Sequence, residues 1–241
     1  MRQFKSNEVI NLLVIPTTIF FAVFCALYGY QLDFVLASTL FHLEGGRWSL
    51  TNHWFFSDVM HSGTRFLNNI VIANVLGFWL YQKFSSEYTY ERKVALTKLV
   101  LSLILSFAIV AILKRALPME CPWDLQLFGG EQPFIGLFEK RPSDIPTTQC
   151  FPAGHASVGY AWVALYFYYL PVSPKKSRTG LMIGLFLGLL LGIVQQIRGA
   201  HFFSHDLTTL WLCWSISCAV FWLYPNRTKL PTDKTQGHNY A

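Results

Sequence analysis

The sequence predicts an all-α, polytopic membrane protein, a bundle of six transmembrane helices with short interfacial helices in its first outer segment. Three observations predict it. Only 13% of the 241 residues are charged, about half the ~25% of a soluble domain. Hydrophobic residues make up 53% of the chain, and the mean hydropathy is +0.35. The apolar residues also gather into six windows with charges as punctuation between them. The same figures exclude intrinsic disorder, which needs low hydrophobicity and high charge. Five cysteines are too few for a small disulfide-built scaffold. No internal repeat, low-complexity tract or separate soluble domain interrupts the pattern, so residues 1–241 read as one domain.

The elements follow in order. The opening Met1-Arg2-Gln3-Phe4-Lys5 mimics the head of a signal peptide. The apolar stretch behind it is too long for that role and no small-x-small cleavage site closes it, so 10–30 reads as the first span. Segment 31–66 mixes Phe34, Phe41, Trp48, Trp54, Phe55 and Phe56 with polar residues, as interfacial helices do. Further spans are expected at 67–84, 96–113, 156–171, 180–197 and 206–224, the shorter ones leaning on interfacial residues. Gly180, Gly184, Gly188 and Gly192 recur every fourth residue along the fifth span and predict close helix packing there. Cys25, Cys213 and Cys218 fall in spans as packing residues, and the polar tail after Tyr224, with Pro225 and Pro231, reads as disordered.

Orientation follows from Lys and Arg. The termini and the two loops on their side carry twelve positives and four acids, a net of +8, whereas the opposite side nets −2, within the total of +6. Both termini are therefore expected in the cytoplasm. Lys175-Lys176-Ser177-Arg178 is a topology determinant on this reading and not a nucleic-acid patch. The other face receives two long segments, 31–66 and 114–155, and a short turn at 198–205.

Three hairpin mouths place ionisable residues on that outer face: Lys114 and Arg115 after the third span, Gly154-His155 before the fourth, and Arg198, His201 and His205 between the fifth and sixth. Ionisable groups at such depth are costly and mark function. The chemistry they suggest is anion handling. Lys brings a compact charge and Arg a planar fork matched to phosphate. Pro152-Ala153-Gly154-His155 leads into a helix whose first amides are free. Two histidines suit nucleophile and general-acid roles. His53, Asp58 and His61 raise the thought of a metal site, but no fourth ligand accompanies them, so they read as the polar face of an interfacial helix.

At these residues the chain resembles the type 2 phosphatidic acid phosphatase superfamily. Lys114, then Phe151-Pro152-Ala153-Gly154-His155-Ala156-Ser157, then Arg198-Gly199-Ala200-His201-Phe202-Phe203-Ser204 are similar to its three motifs. Cys121-Pro122-Trp123-Asp124-Leu125 with Cys150-Phe151-Pro152 resembles a bacterial subgroup of its membrane enzymes. The resemblance covers about 60–224. It implies that His201 attacks phosphorus to form a phosphohistidine and that His155 protonates the leaving oxygen. It further implies that Lys114 and an Arg near the last motif hold the phosphate, and that no metal or other cofactor is needed.

The chain departs from the family pattern at named positions. The first-motif Arg is replaced by Cys121, so Arg115 or Arg141 would have to stand in. Ala153 occupies the usual Ser position. Gln195 stands six residues before His201 where Arg is the rule, and Arg198 lies about one helical turn on. The orienting acid four residues after the nucleophile is His205, with Asp206 next, so either could orient His201. Cys121 and Cys150 bracket one outer loop and are expected to pair in an oxidising periplasm, the alternative being two free thiols.

The resulting expectation is an inner-membrane lipid phosphatase of bacterial type with its site facing the periplasm. Undecaprenyl pyrophosphate, phosphatidic acid, phosphatidylglycerophosphate and lipid A phosphates are substrates by resemblance, and transfer to a second lipid is a variant. Its partners would be lipid phosphates and membrane lipids, with no nucleic acid. The alternative is a non-catalytic carrier that grips anionic headgroups with the same cations.

Overall fold

The computed structural model describes residues 6–137 and 139–224; residues 1–5 and the tail expected to be disordered lie outside the described residues. The fold is all-helical, 74% helix, with no strand among the described residues. Helix α1 runs Ser6–Gly29, α2 Leu32–Leu43, α3 Thr64–Phe84 and α4 Tyr90–Ala116. After a long connecting segment come α5 Gly154–Tyr160, α6 Ala164–Tyr169, α7 Pro174–Ile197 and α8 Phe203–Leu223.

Four of these, α1, α4, α7 and α8, are long and apolar enough to cross a membrane. The two other expected spans differ. Helix α3 has 21 residues but carries Arg65, Asn68, Asn69, Asn74 and Lys83. The stretch expected at 156–171 is helical in three short pieces, α5, a 3₁₀ turn Ala161–Val163, and α6. Outward-facing Ile10, Val14, Ile19, Met182, Phe186 and Ile193 remain exposed along α1 and α7, the surface a lipid environment would cover.

The bundle packs around the broken helix. Helix α7 lies against α5 and α6 along its glycine stripe. At Gly188 a Cβ would strike the Tyr160 ring, and Gly159 faces Gly188 backbone to backbone, so only glycine permits this approach. Polar side chains inside the bundle bond their own helices: Ser102 Oγ donates to the Lys98 carbonyl at 2.8 Å, and Ser217 Oγ to that of Cys213 at 2.7 Å.

Helix α1 docks on α8 at a specific defect. Pro16 has no amide to donate to the Leu12 carbonyl. Trp214 Nε1 of α8 donates to that carbonyl at 2.6 Å, and Trp211 Nε1 reaches Thr17 Oγ1 at 3.1 Å while its ring stacks on Phe20. The polar group freed by proline is thus satisfied by the neighbouring helix.

Segments 31–66 and 117–153 form a cap on one end. Residues 31–66 fold as α2, a turn region and a π-helical stretch Phe55–Gly63 that runs into α3. Phe34, Phe41 and Trp48 pack with Phe128 and Phe202 in a small apolar cluster of their own. Cys121 and Cys150 are joined as a disulfide, with Cα atoms 5.3 Å apart.

Candidate active site

Five helix ends meet at the capped end: the starts of α3, α5 and α8 and the ends of α4 and α7. A cavity of about 410 Å³ opens among them, lined by Lys114, His155, His201, Gln195, His61 and Arg65 at its polar end. Beyond Asn68 and Asn69, Ile72 of α3, Phe107, Val110 and Ala111 of α4 and Val158 of α5 continue its wall. A larger cavity of about 750 Å³ beside α1 and α2 is mostly apolar, and among the described residues no histidine, lysine or arginine lines it.

Each polar residue is positioned by a local cause. Gly154 opens α5, and its missing side chain lets Lys114 lie close: a Cβ there would sit 3.4 Å from Nζ. His155, the next residue, is buried, with Nε2 3.3 Å from the Met60 carbonyl and 3.4 Å from Thr64 Oγ1. Thr64 Oγ1 itself donates to Met60 O. The Met60 carbonyl therefore fixes the Nε2–H tautomer of His155. His201 follows a turn made by Gly199, whose φ of +72° lies in the left-handed region and whose missing Cβ leaves space for the Trp48 ring.

The two chemical motifs are bonded to each other. The Ala153 amide donates to the His205 carbonyl at 3.3 Å, and Thr209 Oγ1 donates to the Ala153 carbonyl at 3.0 Å. The Trp123 amide donates to the Gly199 carbonyl at 2.9 Å, so the Cys121–Asp124 run braces the turn before His201. Burial, reinforced by Lys114, His205 and His155, holds the His201 ring pKa well below 6.5, with the Cys150 carbonyl acting the other way. His201 is thus neutral at physiological pH, with its lone pair available as a nucleophile requires.

The deciding comparison is over the sequence of this end and the helices behind it: the model of the PAP2 superfamily matches residues 95–229, more than half of the chain. The chain belongs to the PAP2 superfamily. Neither the curated proteins nor the solved structures compared with it give a match. Members of the superfamily are phosphatases, which makes this chain a phosphoric ester hydrolase in general terms and, with its apolar helices, a membrane protein.

Against the PAP2 pattern, the structure sorts the residues singled out in the sequence. It gathers Lys114, Gly154, His155 and His201 around one cavity. Arg198 is buried beside them but does not line it: Nε donates to the Thr51 carbonyl at 2.9 Å and Nη1 to Gln195 Oε1 at 3.1 Å. Arg115 is exposed in the last turn of α4, away from the cavity. Arg141 is paired with Glu120 and bonded to the Pro146 and Pro118 carbonyls, so it does not replace the absent first-motif Arg.

His205 and Asp206 differ in the same way. His205 is fully buried, its ring edge-on to His201, Phe151 and Phe202, with neither ring nitrogen hydrogen-bonded among the described residues. Asp206 points to α7 instead, accepting from Gln196 Nε2 at 2.5 Å beside Gly192. At five residues beyond His201 its carboxylate faces away, so it does not hold that ring.

Of two further lining residues, His61 was read from the sequence only as part of a polar helix face, and Arg65 was passed over. His61 stacks on His155 with ring centroids 4.4 Å apart, and Gln195 Nε2 donates to its Nδ1 at 3.2 Å. Burial first, then Arg198, Arg65 and Lys114, pulls the His61 pKa down to about 4. Arg65, one turn on, faces the same cavity. The available signal was the i, i+4 spacing of His61 and Arg65. The one group of potential metal ligands among the described residues, Cys121, Asp124 and Cys150, has its two sulfurs joined in the disulfide, leaving no thiolate to bind a cation.

Proposed function

We propose that the protein hydrolyses a lipid phosphate monoester or pyrophosphate through a phosphohistidine on His201. The observation that carries this reading is that His155, His201 and Lys114 line a single cavity whose wall turns apolar between α3 and α4. A phosphorylated headgroup suits the polar end and a hydrocarbon tail the apolar wall.

In the first step His201 attacks phosphorus, the P–O bond to the lipid breaks, and His155, carrying a second ring proton in the complex with the anionic substrate, delivers that proton to the departing oxygen. In the second, water attacks the phosphohistidine, His155 takes its proton, and phosphate leaves with His201 restored. Lys114 neutralises the oxygens in both steps, which is most of what phosphoryl transfer asks of a protein. His205 buttresses the His201 ring by edge-to-face packing. On this reading α3 and the broken α5–α6 helix complete six crossings, and the site opens on the face opposite the basic loops at 84–96 and 172–179, the periplasmic face of an inner membrane.

The test is phosphate release by purified protein from detergent-dispersed phosphatidic acid, phosphatidylglycerophosphate, undecaprenyl pyrophosphate and lipid A. His201→Ala and His155→Ala are expected to lose about 10³-fold or more in kcat while still binding lipid. Release by His201→Ala at the wild-type rate overturns the nucleophile. Binding without release by the wild type would instead identify a carrier of anionic headgroups.

A further inference from the structure

The PAP2 pattern supplies arginines that this chain lacks at Cys121 and Gln195, and the arginines nearest in sequence do not take their place. Arg115 faces away, Arg141 is paired with Glu120, and Arg198 is bonded to Thr51 and Gln195. We propose that Arg65, at the start of α3 and outside all three motifs, is the second cation that holds the substrate phosphate, in the cavity it shares with Lys114. The proposal rests on the hydrolase reading above and names a binding group for that site.

Four observations support it. Arg65 lines the same cavity as Lys114, His155 and His201. It makes no hydrogen bond or ion pair among the described residues, so its planar fork of donors is available to phosphate oxygens. Its charge reaches the site, since it helps keep His61 neutral. Two unpaired cations facing one small cavity repel each other, and a phosphate between them turns that repulsion into attraction on both sides.

The backbone beneath Arg65 is also anchored to the reacting groups. His61 stacks on His155 and accepts from Gln195, while the Met60 carbonyl receives both Thr64 Oγ1 and His155 Nε2. The turn from Met60 to Arg65 is therefore held against the start of α5, which sets the cation in place before substrate arrives. Gln195, standing where an arginine is usual, becomes the residue that secures this turn.

The probe is orthovanadate, a phosphate mimic, titrated against the thermal midpoint of the purified full chain in detergent, with phosphatidic acid hydrolysis measured in parallel. Arg65→Ala is expected to weaken vanadate binding by about 10–100-fold and to raise KM at least tenfold, while its midpoint without ligand stays at the wild-type value. Arg65→Lys keeps the charge without the fork and should recover part of the loss. Lys140→Ala, an exposed cation in the outer segment, should bind vanadate as the wild type does. Wild-type vanadate affinity and KM in Arg65→Ala overturn the assignment of Arg65 alone. A wild type that binds vanadate through Arg65 but releases no phosphate overturns the hydrolase reading alone, and one that binds no vanadate overturns both.

Discussion

At the residue scale the site depends on histidines held neutral by their surroundings. His61 has a folded pKa of about 4 against 6.5 unfolded, and His201 is shifted in the same direction. As pH falls below 6.5 the unfolded chain takes up protons that the folded chain refuses, so stability present above that pH is lost progressively towards pH 4. The thermal midpoint should therefore fall between pH 7 and pH 4, more shallowly in His61→Gln; a flat or rising midpoint would contradict the buried neutral pair. Asp206 supplies a second residue-scale prediction. Because its carboxylate is bonded to Gln196 and not to His201, Asp206→Asn should lower thermal stability while keeping kcat within about tenfold of wild type. A loss as deep as that of His201→Ala would show that Asp206 orients the nucleophile after all.

At the element scale two joints hold the bundle around the site, and they differ in how far they could be read in advance. The glycine stripe of α7 was legible, because a four-residue period maps onto one helix face and small residues there have one main use. The Pro16–Trp214 joint was not, because the carbonyl that proline orphans finds its donor on a helix about two hundred residues away. The same limit hid the π-helical stretch and the broken helix at 154–169: hydropathy averages over a window and does not register where the hydrogen-bond ladder changes pitch. Replacing Trp214 with Phe keeps the ring but removes the donor to the Leu12 carbonyl. It should lower unfolding free energy by about 1–2 kcal/mol, read by denaturant titration in detergent. Trp214→Phe in a Pro16→Ala background should lose less, since the helix then bonds that carbonyl itself.

At the scale of the whole molecule the cap is a clamp on the turn that carries His201. Convergence of the three motifs was readable because each sits at a hairpin mouth on one face. Arg65 and His61 were not, because they precede the motifs and lie in a segment whose aromatic content marked it as interfacial. The Cys121–Cys150 pair was visible as two cysteines bracketing one loop, but its consequence needed the fold. The bridge closes a segment with a sequence separation of 29, whose entropy in the unfolded chain corresponds to about 3–4 kcal/mol. It also ties the Trp123 amide, which bonds Gly199, to the Cys150 carbonyl, which faces His201 and His205. Loosening it frees both walls of His201 at once. The double variant Cys121→Ser/Cys150→Ser should therefore lower the thermal midpoint and also reduce kcat by about tenfold, and dithiothreitol should do the same to wild type but not to the variant. A variant with a lowered midpoint and wild-type kcat would mean that the bridge serves only the fold and that Gly199 holds His201 in place without it.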